Sequence, residues 1–172
     1  MDLLQLPHIR VTLNYAEETQ AHEAGFARAQ GIRGKADHVT RKDTQLNFHQ
    51  YVGQLSEAVG SEMCVAKYFG LTDFKPTVNT FKTAADVGSR LEVKHTLWRD
   101  GHLIVHQSDR ADDIAVLVVG RSPEYYLVGW IPVIDAKVKR FYVESEKNWW
   151  VRQHDLRPMT DFLRSKYART SF

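Results

Sequence analysis

Residues 84–96 decide the fold of this chain, and they read AADVGSRLEVKHT. The side chains of a β-strand alternate between its two faces, so Leu91 and Val93 share one face while Glu92 and Lys94 share the other. An apolar face opposite a carboxylate and an ammonium group is unusual for a strand whose polar side is merely solvated. The pattern therefore predicts a strand that packs on a core with one face and presents a polar site on the other.

The turn before this strand decides whether Asp86 joins the same site. A three-residue loop would pair Val87 with Leu91 and set Asp86 opposite Glu92, with the two Cβ atoms roughly 4.5–5.5 Å apart. At that separation two carboxylates can hold one cation between them. A two-residue loop at Gly88-Ser89, a common hairpin signal, would instead turn Asp86 away from Glu92. We expect the three-residue loop, because Val87 then extends the apolar face of the strand.

The composition is that of an ordinary globular domain. The chain has 172 residues, of which 43% are apolar and 26% are charged, and a chain of this length buries about 70% of its unfolded surface. No apolar run approaches the roughly 20 residues that span a bilayer, and the N-terminus lacks a secretory pattern, so we expect no membrane contact. The single Cys64 excludes an internal disulfide framework and a cysteine-based zinc cluster, which predicts a cytoplasmic protein.

Positive charge is concentrated near the C-terminus. The formal net charge is only +2, but residues 135–172 contain nine Lys or Arg against five Asp or Glu. A basic C-terminal third is compatible with contacts to a nucleic-acid backbone, and equally with a solvated surface. The charge distribution alone leaves both interpretations open.

Hydrophobic periodicity predicts a mixture of helices and strands. Asn14 caps a first helix, Gly70 ends a second one, and the continuous apolar run Ile114–Val119 is typical of a central strand covered on both faces. The predicted elements are a strand at Ile9–Leu13, a helix at Tyr15–Ala29, a helix at Gln50–Phe69, strands at Val78–Phe81, Ala84–Val87, Leu91–His95, Ile114–Val119 and Tyr125–Ile131, and a closing helix at Thr160–Tyr167.

These elements assemble most simply into one domain of the α/β (α+β) class, with a mixed central β-sheet flanked by helices. Residues 1–49 would form an N-terminal strand-helix extension and a polar connection. Residues 50–172 would form the core, which ends in the basic C-terminal helix.

The second helix and the hairpin together resemble the core of the PD-(D/E)XK nuclease superfamily. Residues 60–70, GSEMCVAKYFG, are similar to the Gly-x-Glu-x-x-x-Ala-Lys-x-(Leu/Phe)-Gly helix of small phage-encoded members. Those members also carry an Asp-Val-Gly…Glu-Val-Lys hairpin, matched by residues 86–94, and a Val-Gly-Trp-Ile strand, matched by residues 128–131. The resemblance covers roughly Gln50 to Ile131, and Ala85 stands where the motif has a proline.

The resemblance implies a restriction-endonuclease-like core and a Mg²⁺-dependent endonuclease that hydrolyses DNA. Asp86 and Glu92 would hold one or two Mg²⁺ ions, or Mn²⁺ in their place, and the backbone carbonyl of Val93 would add a ligand. Glu62 would reach in from the helix as an outer metal ligand or a holder of water. Lys94 would orient the attacking water or stabilise the charge that develops on the phosphate.

The resemblance also suggests partners and a setting. The protein would be encoded by a bacteriophage and act in the host cytoplasm. Its substrate would be DNA, with RNA as the alternative, and it could form a homodimer. Four residues around the hairpin are candidates for phosphate contacts, namely Lys82, Arg90, Thr96 and Arg99.

Other interpretations of the same residues stay open. Lys94 could form a structural cross-strand salt bridge with Asp86 or Glu92, and Glu57 could replace Glu62 in the site. A separate, competing class is a catalytically inactive nuclease-fold protein that binds nucleic acid or a protein partner, or a phage structural component.

Two further motifs have a structural explanation beside a functional one. The acidic run Asp109–Asp113 could bind a cation, but turn capping in a solvated loop is the explanation that we favour. The pair Trp149-Trp150 could stack on unpaired bases, although adjacent aromatic residues on a strand usually divide between the core and the surface.

Overall fold

The structure is a computed structural model, and it describes residues 8–31, 39–40, 44–78 and 83–172 of the chain. Its helices and strands, in chain order, are β1 (Ile9–Thr12), α1 (Tyr15–Gly31), β2 (Val39–Thr40), β3 (Thr44–Gln45), α2 (Phe48–Tyr68), β4 (Leu91–Thr96), β5 (Leu103–Val105), β6 (Ile114–Arg121), β7 (Glu124–Pro132), α3 (Val133–Ala136), β8 (Tyr142–Val143) and β9 (Asn148–Val151).

The main sheet has four strands in the order β1-β7-β6-β4. β4 runs parallel to β6, whereas β7 is antiparallel to both β6 and β1. The side chains of Ile114–Val119 on β6 are all buried, which confirms the prediction of a central strand covered on both faces. The fold is therefore mixed α/β, with parallel and antiparallel strands in one sheet and β4 at its edge.

Different layers cover the two faces of this sheet. Leu91 of β4 and Val116 of β6 pack against Val59 and Met63 of α2. The opposite face packs against the three-stranded sheet β5-β9-β8 and α3 through a second cluster of buried residues. Glu92 and Lys94 point toward this second layer, so the polar face of β4 lies at a boundary between layers rather than in open solvent.

Capping residues mark the starts of the two long helices. The Oδ1 atom of Asn14 accepts from the amide of Glu17 at 2.9 Å, and the Glu17 carboxylate accepts from the amide of Asn14 at 2.7 Å. Asn47 and Gln50 form the same reciprocal capping box at the start of α2, and Gly70, with φ of +69°, lies just beyond its end. These contacts confirm both predicted helices and move the start of α2 to Phe48.

The N-terminal elements contribute to the common core. β1 forms the other edge of the main sheet, beside β7. Val11 and Ala21, from β1 and from α1, are buried in the same cluster as α2. Between α1 and α2, the described residues form a short antiparallel ribbon of β2 and β3. No described helix combines the length and apolar character that crossing a bilayer requires.

The predicted closing helix at Thr160–Tyr167 is wrong. The C-terminal segment instead forms two 3₁₀ turns, at Met159–Arg164 and Ala168–Thr170. Residues three apart lie on the same side of a 3₁₀ turn, which buries both Met159 and Phe162 in the core. The core contacts of these two side chains therefore override the helical pattern.

Two predicted strands before β4 have a different outcome. Val78–Phe81 lies, apart from Val78, outside the described residues. The predicted strand Ala84–Val87 is wrong, because only Val87 forms a β-bridge, with Leu91. The antiparallel pairing stops at this bridge. The next amide of β4 on the same side belongs to Val93, and it donates to the Asp86 side chain at 2.8 Å.

Candidate functional site

The turn between Asp86 and Glu92 has the predicted three-residue loop. The amide of Val87 donates to the carbonyl of Leu91 at 3.0 Å, and the amide of Leu91 donates back at 3.1 Å. Gly88 supplies the positive φ of +59° that the turn requires. The pairing confirms the expected register and brings Asp86 to the edge of β4 beside Glu92.

Asp86 is bound directly to the backbone of the edge strand. Its Oδ2 atom accepts the hydrogen bond from the Val93 amide. The N–H and C=O groups of one strand residue point to the same side of the strand, so the Val93 carbonyl also faces away from β6, toward Asp86. The structure thus places a carboxylate and a backbone carbonyl on the free side of β4.

Asp86 and Glu92 are both more difficult to ionise than ordinary carboxyl groups. Burial raises the pKa of Asp86 to about 7, and the negative charge of Glu62 acts in the same direction. Burial also raises the pKa of Glu92 to about 7, and the charge of Asp86 adds to that effect. A cation bound between the two carboxylates would remove this penalty, because it would stabilise both in their charged form.

Lys94 lies between two carboxylates. Its Nζ atom is 2.8 Å from Oδ2 of Asp109 and 3.3 Å from Oε1 of Glu92. Burial alone would lower the pKa of Lys94, but the charges and hydrogen bonds of Glu92 and Asp109 together raise it above its ordinary value. The ammonium group therefore stays protonated and acts as a fixed positive charge beside the acidic pair.

Sequence reasoning did not identify Asp109 as part of the site. Its carboxylate accepts from the amide of His106 at 2.8 Å, which is the turn capping considered for the acidic run. The same carboxylate also pairs with Lys94, and the Asp109 carbonyl accepts from Lys137 Nζ at 2.6 Å. The only signal in the sequence was an acidic run shortly before the central strand. It is the parallel pairing of β6 with β4 that carries this run to the site.

Arg110 brings a second cation near the site and was also not predicted. Its Nε atom donates to the Asp113 carboxylate at 2.8 Å, and its Nη1 atom donates to the Thr83 carbonyl at 3.2 Å. The hydrogen bond that Arg110 donates to Asp113 is the main reason that the pKa of Arg110 is raised, and the charges of Glu92 and Asp86 contribute. Arg110 therefore lies within the electrostatic reach of both carboxylates.

Glu62 lies close to the site, but a guanidinium group binds both of its oxygens. Nη1 and Nη2 of Arg28 donate to Oε1 and Oε2 of Glu62 at 2.8 and 2.9 Å, and both side chains are buried. Arg28 also donates from Nε to the Thr77 carbonyl at 2.7 Å. Burial raises the pKa of Glu62, while Arg28 opposes the shift and Glu92 adds to it. This ion pair joins α1 to α2 directly behind Asp86.

Glu57, the alternative to Glu62, is held elsewhere. Its carboxylate accepts from the Tyr125 hydroxyl at 2.7 Å and from the Ser122 amide at 2.9 Å. These contacts join α2 to β7, and the structure does not bring Glu57 to the hairpin.

The four candidates for phosphate contact lie in different surroundings. Arg90 donates to the Asp112 carbonyl and to the Thr170 hydroxyl, both at 2.6 Å, so its guanidinium already has partners. The Thr96 hydroxyl accepts from the Trp98 amide at 3.2 Å. Arg99 is exposed in the turn that follows β4, and Lys82 lies outside the described residues.

The donor set at this edge suits a hard divalent cation. Asp86, Glu92 and the Val93 carbonyl offer only oxygen atoms, which are the ligands that Mg²⁺ and Mn²⁺ prefer. In the part of the chain that the structure describes, no group of three or more His, Cys, Asp or Glu side chains could hold a metal ion. Mg²⁺ typically uses one or two carboxylates together with water and substrate phosphate, so this smaller donor set fits it.

The arrangement provides two adjacent carboxylates, a backbone carbonyl and a protonated lysine along a single strand edge. Comparison with protein-family models, with curated proteins and with solved structures finds no match to this chain.

Proposed function

We propose that this protein is a Mg²⁺-dependent nuclease of the PD-(D/E)XK type, with a restriction-endonuclease-like core, that hydrolyses phosphodiester bonds in DNA. The observation that best supports the proposal is the convergence at the edge of β4. Asp86 binds the Val93 amide there, and Lys94 lies 3.3 Å from Glu92. Phosphodiester hydrolysis needs both anionic oxygens for a metal and a positive charge near the phosphate, and this edge supplies both.

Asp86, Glu92 and the Val93 carbonyl would hold the metal ion. When bound, the ion would neutralise charge on the phosphate and make a water molecule more acidic. Asp86 keeps its Oδ1 atom for this purpose, since Oδ2 accepts from Val93. The Val93 amide therefore fixes the orientation of the Asp86 carboxylate before any ion arrives.

Lys94 would act as a cation and hydrogen-bond donor rather than as a general base. Its raised pKa keeps the ammonium group protonated near neutral pH. Asp109 and Glu92 hold this group on two sides, so that it can donate its remaining hydrogen to the attacking water or to a phosphate oxygen. A positive charge held in place in this way stabilises the extra negative charge of the transition state.

Glu62 would act chiefly through its charge. Because Arg28 binds both of its oxygens, a role as an outer ligand or water-holder depends on the remaining lone pairs of those atoms. The Arg28–Glu62 pair also forms a rigid buried support behind Asp86.

The competing class is an inactive protein of the same fold that binds nucleic acid or a protein, or that serves as a phage structural component. The ion pairs of Lys94 and Arg28 would serve such a protein equally well. A purely structural role gives no reason for two neighbouring, partly buried carboxylates that both have a pKa raised to about 7, and strongly perturbed acids of this kind cluster at functional sites. This observation favours the enzyme.

Nicking of supercoiled plasmid tests the proposal directly. Wild-type protein would be incubated with Mg²⁺, Mn²⁺ or EDTA beside Glu92→Gln and Lys94→Met, with the exposed Glu144→Gln and Lys166→Met as matched controls. We expect metal-dependent nicking that falls by about 100-fold or more in the two site variants and is unchanged in the controls. RNA would be assayed in parallel as the alternative substrate.

Two results would contradict the proposal. Equal nicking by wild-type protein and both site variants would indicate a contaminating nuclease. An absence of cleavage of plasmid, single-stranded DNA and RNA alike would favour the binding or structural class.

A further inference from the structure

A cavity of about 420 Å³ lies beside β8 and β9 of the three-stranded sheet. Its lining is aromatic and basic, and it includes His102, Arg140, Tyr142, Trp150 and Arg152. A volume of this size is typical of sites for small organic ligands. The cavity is separate from the proposed metal site, and none of the residues assigned there lines it.

The alternation of side chains on β9 separates its two tryptophan residues. Val151 pairs with Leu103, and both are fully buried toward the main sheet. Trp149 packs partly against that same cluster. Trp150 therefore points to the opposite, outer face, where its ring lines the cavity and the His102 ring lies 5.7 Å away. Trp149 therefore faces the core, and Trp150 faces the cavity.

Two guanidinium groups give the cavity lining positive charge. Arg140 and Arg152 are both exposed, and no ion pair among the described residues involves either of them. Asp155 is the one acidic residue in the lining, and its carboxylate lies 3.5 Å from His154. The Arg140 guanidinium lies 4.2 Å from the centre of the Phe141 ring, which limits its orientations. Arginines without acidic partners can bind the oxygens of a phosphate in pairs.

A turn connects this surface to the edge of β4. The Nε2 atom of Gln153, which follows Arg152, donates to the carbonyls of Arg99 and Gly101 at 2.8 and 3.1 Å. The same turn carries Trp98, which is 75% exposed and only four residues beyond Lys94. The turn that follows β4 therefore contacts the segment that carries Arg152.

We infer that the cavity binds a nucleotide unit, with the planar base against Trp150 and the phosphate between Arg140 and Arg152. The nucleotide can belong to an unpaired strand or be free in solution, because the recognising chemistry is the same for both. Binding of a nucleotide that belongs to an unpaired strand rests on the proposed function. In that case the cavity would be a second contact for a single-stranded substrate.

Binding measured in EDTA tests the inference without any cleavage. One probe is a fluorescently labelled single strand of about ten nucleotides, a length within the range that single-strand sites cover. The other probe is adenosine monophosphate, followed by calorimetry. The variants are Arg140→Gln/Arg152→Gln and Trp150→Leu. The matched control is Arg164→Gln/Arg169→Gln, which removes the same charge from the C-terminal segment beside the other face of the main sheet.

We expect both cavity variants to weaken binding of the single strand by about 10-fold or more, with the control unchanged. Weaker binding of adenosine monophosphate as well would identify a site that accepts the free nucleotide. Binding of the strand alone would identify a site for the polymer. The double arginine variant keeps the inference testable if Trp150→Leu unfolds, because both arginines are exposed.

The inference would be overturned if the double arginine variant and its control bound both probes with equal affinity. This result is distinct from failure of the proposed function. A protein that nicks plasmid with unchanged strand binding in the cavity variants would be a nuclease without this site. A protein that never nicks plasmid but loses strand binding in those variants would have the site without the nuclease.

Discussion

Lys94 shows how strongly the surroundings of one residue constrain its chemistry. The residue lies on the polar face of β4, half-enclosed between the two layers, with a carboxylate on either side. Both carboxylates raise its pKa, so the side chain supplies positive charge but no base. Asp109 has no oxygen in the proposed metal-ligand set, and we therefore assign it the role of positioning Lys94.

Replacing Asp109 with Asn should slow plasmid nicking by about 10- to 100-fold, as loss of a supporting partner commonly does. The variant also removes one of the charges that raise the pKa of Lys94, so the alkaline limb of the pH–rate profile should move to lower pH. The measurement is the nicking rate across the neutral to alkaline range. Asp112→Asn, an exposed carboxylate on the same loop, is the control. If Asp109→Asn left both the nicking rate and the alkaline limb unchanged, Asp109 would have no role in positioning Lys94.

Metal-free protein should lose stability as the pH rises. The pKa values of Asp86 and Glu92 are raised to about 7 in the folded state, whereas unfolded carboxyl groups ionise near pH 4. Between about pH 4 and pH 7 the unfolded state therefore binds fewer protons than the folded state, and the free energy of unfolding decreases with pH. Above pH 7 both states are ionised and this contribution changes no further.

Urea denaturation in EDTA from pH 5 to pH 8 measures this effect. The Asp86→Asn/Glu92→Gln variant cannot ionise at these positions, so its stability relative to wild-type protein should increase with pH. Parallel pH dependences of wild-type and variant stability would show that the two carboxyl groups ionise normally.

At the scale of elements, the C-terminal segment holds the hairpin that carries Asp86. The amide of Ser89 donates to the Ser171 carbonyl at 2.9 Å, and the Ser89 hydroxyl donates to the Thr170 carbonyl at 2.7 Å. The loop can approach this backbone closely because residue 88 is a glycine. The 3₁₀ turns that replace the predicted closing helix therefore also support the site.

Gly88→Ala should destabilise the protein by about 1–3 kcal/mol. Residue 88 has a φ of +59°, and an added Cβ would lie 2.1 Å from the Ser171 carbonyl oxygen. Gly53→Ala is the matched control, since an added Cβ meets nothing within 4 Å inside α2, and it should stabilise the protein by about 0.5–1 kcal/mol. Chemical denaturation of both variants checks the opposite signs. A neutral effect of Gly88→Ala would mean that the C-terminal segment does not hold the turn.

The hairpin before β4 shows which features of an element can be predicted from nearby residues and which cannot. The register of Val87 with Leu91 could be predicted, because it follows from apolar residues that lie close together in sequence. The strand expected at Ala84–Val87 could not be excluded in the same way, since the Asp86 side chain rather than the backbone accepts from Val93. Strand propensity and hydrophobic periodicity do not indicate when a side chain will accept a hydrogen bond in place of a backbone carbonyl.

At the scale of the whole molecule, a buried ion pair joins the N-terminal helix to the helix behind the site. Arg28 and Glu62 are each 4% exposed. Removing one partner of such a pair leaves an uncompensated buried charge, whereas replacing both with apolar residues is often nearly neutral. The pair thus makes α1 part of the support of the site, although sequence reasoning placed that helix in an extension.

Arg28→Met should lower the free energy of unfolding by about 3–5 kcal/mol, and Arg28→Met/Glu62→Met should recover most of the loss. Lys67→Met is the control, because Lys67 and Glu17 form an exposed ion pair between the same two helices. That substitution should cost less than about 1 kcal/mol. Urea denaturation of the four proteins provides the comparison. A double variant as unstable as Arg28→Met would indicate that lost packing, and not the buried charge, dominates.

The sequence by itself determined the alternation of β4, the three-residue turn before it, the Asn14 cap of α1, the end of α2 at Gly70 and the buried central strand. Each of these depends on residues a few positions apart, whose geometry local backbone sterics and hydrophobic periodicity dictate. Only the tertiary structure decided that Asp109 pairs with Lys94, that Arg28 pairs with Glu62 and that a second sheet covers the polar face of β4. These contacts join residues far apart along the chain. Their proximity depends on strand order and on the parallel pairing of β4 with β6, which local patterns do not specify.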